Sequence, residues 1–85
     1  MNENDIIRDI QRKVTYYSSW TIGITNNPQR QKKEHNNPQN WSVYQANTYE
    51  IAIRVESHFI EKGMKSFGRA GRGEEKPRYV YIFKA

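Results

Sequence analysis

NTYEIAIRVESHFIEKG, residues 47–63, is the stretch on which the fold turns. Asn47 or Thr48 can cap a helix that opens here, and Asn47 with Glu50 three residues on approximates a capping box. Gly63 supplies a C-terminal stop. The spacing predicts a helix over 48–62. At about 100° per residue, Tyr49, Ala52, Ile53, Phe59 and Ile60 form an apolar arc that Val55 widens. Glu50, Arg54, Ser57, His58 and Glu61 form the polar face, so His58 is expected in solvent. Glu56 breaks the pattern, because it falls near the centre of the arc, between Ala52 and Ile60. A carboxylate held there must be paired, hydrated or bound to a metal. Three readings stay open: a buried structural ion pair or hydrogen bond, a metal-binding or catalytic carboxylate, and a distorted helix that moves Glu56 off the arc.

Outward from this helix the periodicity changes. Residues 41–46 (WSVYQA) read as a strand with Trp41, Val43 and Gln45 on one face, entered through the turn NNPQN at 36–40. In RYVYIFK (78–84), Tyr79, Tyr81 and Phe83 alternate with Val80 and Ile82. Bulk on both faces predicts a strand internal to a sheet. Residues 64–78 carry Gly68, Gly71 and Gly73 among basic residues and read as a loop.

TYYSSWTIGIT (15–25) is aromatic and β-branched, which suits strand. Ser18–Ser19 can turn between two short strands, or one long strand can carry a bulge. Gly23 weakens a strand unless a close approach of backbone or ligand requires it. Asn26 or Asn27 then caps a short polar helix over about 28–36, with Pro28 at its first position. Residues 3–14 form an opening helix with Ile6, Ile7, Ile10 and Val14 on one face. The expected fold is α+β: a small antiparallel sheet of three to four strands flanked by helices, one domain over 1–85.

Composition narrows the function classes. Among 85 residues there is no cysteine, which excludes disulfides, thiolate catalysis and cysteine-based zinc sites. The polar, acidic start does not resemble a signal peptide, and no apolar run approaches membrane-spanning length. A cytoplasmic protein with no membrane partner is expected. The formal net charge of +5 fits an anionic partner and equally fits ordinary solubility.

Basic residues cluster at Arg30, Lys32 and Lys33 and again from Lys62 to Lys84, where Lys65, Arg69, Arg72 and Arg78 are spaced by glycines. Lys32, Lys33, Lys65, Arg69, Arg72 and Arg78 are the candidates for phosphate contacts with DNA or RNA. The glycines match no nucleotide-binding loop, since neither Gly-Lys-Ser/Thr nor GxGxxG is present. His35 closes the 28–36 helix, where a positive charge is favourable. The two histidines and Glu56 do not form a zinc motif.

TIG (21–23), TNNP (25–28), His35 and the later Glu56 helix together resemble the second half of the GIY-YIG nuclease pattern, over roughly residues 14–60. In that family a strand ending in YIG leads into a helix with an arginine and often a histidine. A further strand and helix then supply a metal-binding glutamate. The resemblance implies a small three-stranded antiparallel sheet flanked by helices, and cleavage of phosphodiester bonds with one divalent metal ion, a tyrosine and an arginine. It puts Glu56 in the metal and catalytic role, and His35 at the polar residue closing the first helix.

The departures are specific. Thr21 stands at the YIG tyrosine, and Gln31 stands at the arginine position, eight residues after Gly23. Arg30 is one residue early and about 100° away on a helix. No Gly-Ile precedes Tyr16 or Tyr17, the stand-ins for the first motif's tyrosine. The expectation is a nucleic-acid-associated domain on this scaffold with weak or no nuclease activity and no cofactor. The alternatives are a divergent nuclease using Tyr17, Arg30, His35 and Glu56 with Mg or Mn, and a non-enzymatic domain that binds another protein.

Overall fold

The computed structural model describes residues 1–66 and 76–84. The elements are α1 (Glu3–Lys13), a 3-10 turn (Tyr17–Ser19), β1 (Trp20–Thr25), α2 (Pro28–Glu34), β2 (Asn40–Gln45), α3 (Tyr49–Glu61), β3 (Lys65–Ser66) and β4 (Tyr79–Lys84). They make an α+β domain in which helices flank a four-stranded sheet of order β2-β4-β1-β3.

The sheet is mainly antiparallel, as expected, but mixed, because one pair of strands is parallel. β4 pairs antiparallel with both β1 and β2, whereas β3 pairs parallel with β1, Thr21 opposite Lys65 and Ile22 opposite Ser66. The cause lies at the end of α3. Gly63, at φ 115°, donates its N–H to Ile60, and Met64 donates to Phe59. This left-handed cap turns the chain back along β1 in the same direction. Lys65 and Ser66 therefore belong to the sheet and not to the loop assigned from sequence.

Residues 15–25 hold one strand and not two. Ser19 donates its N–H to Tyr16 in a 3-10 turn, and β1 begins at Trp20, opposite Lys84. Lys84, the partner of Trp20, is the last residue of β4.

Alternation along the central strands gives the sheet two different faces. Ile22, Ile24, Val80 and Ile82 point to one side and join Ile6, Ile10, Ala52, Val55, Phe59 and Met64 of the helical layer in one core. Fully burying such a side chain stabilises by about 1.5–3 kcal/mol. α1 and α3 carry side-chain caps: Asn2 accepts from the Asp5 N–H, and Thr48, not Asn47, accepts from the Ile51 N–H. A polar clamp fastens α1 to β2. The Tyr44 hydroxyl donates to Asp9 at 2.6 Å, and Lys13 donates to Tyr44 at 3.0 Å and to Ser42 at 3.1 Å. The Tyr44 hydrogen bond, then Lys13, lowers the Asp9 pKa to about 2.

The buried arc of α3 is Ala52, Val55, Glu56 and Phe59. Val55 is central rather than peripheral, and Ile60 is 38% exposed, so the arc lies rotated from the expected one. The other sheet face carries Thr21, Gly23, Tyr81, Phe83, Trp41 and Val43, in the register Gly23–Tyr81–Val43 and Thr21–Phe83–Trp41.

Candidate functional site

The second face is where polar chemistry gathers. β4 lies between β1 and β2, so Tyr81 is fully buried although it carries a hydroxyl. Its ring lies directly across the ladder from Gly23, and a β-carbon on Gly23 would stand 2.4 Å from that hydroxyl. The glycine inside the apolar run is explained by this approach: a cross-strand aromatic ring fills the space its side chain would take.

α2 supplies the partners. Asn27 accepts from the Arg30 N–H at 3.1 Å and Pro28 opens the helix, which sets its phase. In that phase Gln31 is the buried residue of α2. The Tyr81 hydroxyl donates to its Oε1 at 3.4 Å, a long and weak bond. His35, the C-cap of α2, brings Nε2 to 3.2 Å of the same hydroxyl. When the hydroxyl donates to Gln31, Nε2 of His35 is the donor in that contact.

The rings pack closely around this contact. His35 lies 4.6 Å from Phe83, and Trp41 stacks on Tyr81 at 4.8 Å and 15°. Burial among these rings lowers the His35 pKa, outweighing the opposing pull of Glu34. The helix-end position had suggested a favoured positive charge; desolvation reverses that and favours the neutral ring.

The turn after α2 follows from two consecutive left-handed asparagines, Asn36 at φ 64° and Asn37 at φ 49°. Their N–H groups cap the carbonyls of Lys33 and Lys32 at 3.0 and 2.8 Å. Asparagine tolerates this backbone better than other non-glycine residues. The turn leaves an open groove of about 480 Å³ lined by His35, Asn36, Pro38, Gln39, Asn40 and Lys84. Register places Asn40, Lys84 and Trp20 side by side at this end of the sheet, with Lys65 one step in, opposite Thr21.

Of the candidate residues read from sequence, His35 belongs to this cluster. Arg30 does not: it lies on the exposed side of α2, bonded to Glu34 at 3.1 Å, while the adjacent Gln31 faces Tyr81. Tyr17 packs its ring on Phe59, 5.8 Å between centroids, against the helical layer. Glu56 is 4% exposed on the inner side of α3, where its charge is not without a partner. His58, expected in solvent, is half-buried, edge-on to Phe59 at 4.9 Å and 82°.

Among the basic candidates, Lys65 is exposed at the groove end of the sheet, Lys33 is exposed and Lys32 half-buried in the last turn of α2. Arg78 sits at the opposite end, its N–H bonded to Asn26. Arg69 and Arg72 lie outside the described residues. Sequence reading missed Tyr81 and Lys84. Gly23 was the available signal for Tyr81, since a glycine in a buried strand asks what large group lies opposite.

A metal centre does not assemble from the described residues. Among them no group of three or more His, Cys, Asp or Glu side chains could hold an ion. Magnesium held by one carboxylate relies on waters and substrate phosphates for its remaining ligands. Glu56, enclosed by Ala52, Val55 and Phe59, therefore makes no centre by itself, and no metal-dependent step is derived from it. No helix among the described residues is long and apolar enough to cross a membrane. Comparisons with protein-family models, with curated proteins and with solved structures each return no match.

Proposed function

We propose that this chain is a nucleic-acid-associated domain on a GIY-YIG-like scaffold, with weak or no nuclease activity. The observation that carries this reading is the neutral cluster of Tyr81, His35 and Gln31. The strand–helix unit that resembles the family aims a glutamine at a buried tyrosine, while Arg30 turns away to Glu34. Cleavage of a phosphodiester develops negative charge on the phosphoryl oxygens, and a glutamine amide offsets it without a full charge or a bidentate fork. Losing one such stabilising group typically costs about 10²–10³ in rate. In this reading Tyr81, not Tyr17, takes the place of the family's tyrosine. Association would use phosphate contacts from Lys84 and Lys65, which share one end of the sheet with the groove.

The test is a titration of labelled single- and double-stranded DNA and RNA at two salt concentrations. Binding should be weak and indifferent to sequence, with log affinity falling by about 0.7 per neutralised phosphate per decade of salt for single strands. Lys84→Ala should remove about one such increment. Absence of binding at low salt by the folded protein sinks the reading and leaves a protein-binding domain in its place.

The second reading is a divergent nuclease that draws on the Glu56 carboxylate. Magnesium- or manganese-dependent cutting that disappears in both Glu56→Gln and Tyr81→Phe would establish it over the first.

A further inference from the structure

The groove beside α2 has features that the Tyr81 cluster does not use. Its volume of about 480 Å³ falls within the usual range for ligand clefts, about 300–1,000 Å³. Three carboxamides line it: Asn36, Gln39 and Asn40. Among the described residues no hydrogen bond engages their side chains, nor does an ion pair engage Lys84. Each amide offers two donors and one acceptor, so the lining is mixed in polarity, and its described residues include no carboxylate.

The groove is also asymmetric. At one end stands the C-terminus of α2 with His35 and Asn36, the negative end of a helix dipole. Lys84, adjacent in register to Asn40, is the cationic residue of the lining. His35 also lines the groove, with its ring tilted against Phe83 at 4.6 Å and 31°. That ring stays uncharged near neutral pH, because burial lowers its pKa.

We infer that this groove takes one unpaired nucleotide of a nucleic-acid strand, with its base against the amides and its phosphate on Lys84. The inference rests on the nucleic-acid association proposed above and specifies where a strand is held. Asparagine and glutamine match the paired donor and acceptor of a base edge, adenine above all. A base has flat faces that stack on an aromatic wall, and stacking together with edge contacts requires a base splayed out of a duplex. The phosphate cannot favourably sit at the α2 end, where the dipole is negative, so Lys84 is its place. A bare anion would use Lys84 and leave the amides idle.

The experiment is an NMR titration of the full chain with adenosine 5′-monophosphate, adenosine and inorganic phosphate. Binding of a fluorescent single-stranded oligodeoxyadenylate at low salt is measured in parallel. The nucleotide should shift the side-chain resonances of Asn36, Gln39 and Asn40 and the ring of His35. Phosphate alone should move Lys84 and leave the amides. Lys84→Ala should weaken the nucleotide about tenfold, the size of a lost charged hydrogen bond, and leave adenosine nearly unchanged. Gln39→Ala should weaken both. Both residues are exposed, and retained chemical-shift dispersion verifies that the variants fold.

If the oligonucleotide binds while the nucleotide leaves the amides unmoved, the groove assignment falls and the basic-surface reading stands. Equal shifts from phosphate and nucleotide reduce the groove to a simple anion site and overturn the inference. No oligonucleotide binding at low salt removes the proposed function, and this inference with it.

Discussion

The same two strands present opposite kinds of interior. On one face of β1 and β4, Ile22, Ile24, Val80 and Ile82 meet Ile6, Ala52, Val55 and Phe59 in a mainly apolar layer. On the other, Thr21, Gly23, Tyr81 and Phe83 meet Gln31, His35 and Trp41. Both are buried, yet different rules hold them. Apolar packing is non-directional, so the first face depends on volume and tolerates shape-conserving exchanges. The second depends on direction as well, because a buried hydroxyl must keep its partners. The first face supplies stability, and the second holds a specific arrangement at a cost in tolerance.

Substitutions can break this contrast at graded strength. Phe59→Ala should cost most, about 3–5 kcal/mol, as a cavity in the volume-dependent face, measured by urea unfolding. Gly23→Ala follows at about 1–3 kcal/mol, since its β-carbon meets the hydroxyl end of Tyr81, a ring that is fully buried and has little room to give. A neutral result there would refute the close approach of ring and strand.

Tyr81→Phe keeps the ring and removes the hydroxyl. About 1 kcal/mol is expected, together with a shift of the His35 ring resonances. Arg30→Ala should be smallest, within about 0.5 kcal/mol, because its partner Glu34 is a solvent-exposed neighbour on the same helix. A large loss would mean that Arg30 does more than the structure assigns to it.

Acid separates the faces in another way. Folding lowers the His35 pKa from 6.5, so its contribution to stability is complete above that pH and is lost as pH falls below it. Asp9, held at about 2 from its usual 3.8, contributes above 3.8 and loses that contribution only as pH falls toward 2. On acidification, resonances around His35 and Tyr81 should therefore change before those around Tyr44. Titration of His35 at or above its ordinary 6.5 would contradict its burial.

The sequence made one face more legible than the other. Alternation in 79–84 marked β4 as an internal strand, and the wheel of α3 placed Glu56 on the buried side, because both patterns are local. Lys65 and Ser66 were unreadable as strand, since two residues carry no period and their parallel pairing depends on the turn at Gly63. The link between Tyr81 and His35 spans 46 residues and is set by register, which sequence periodicity does not encode. Tyr17 is near Gly23 in sequence but packs on Phe59 in the other layer, because the 3-10 turn at 17–19 redirects the chain before β1 begins.

The position of β4 bears on how the chain is made. In sequence it follows the other three strands; in space it separates β1 from β2, and both antiparallel ladders run through it. During synthesis from the N-terminus, β1 and β2 emerge without their common neighbour and cannot pair with it. α1 and α3 can form early from local contacts, while β1 covers their sheet-facing residues only in part until β4 inserts. The Tyr81 hydroxyl and the groove at Lys84 arrive on that same strand. Assembly of the candidate site and closure of the sheet are thus one event, and a nascent chain has neither until it has both.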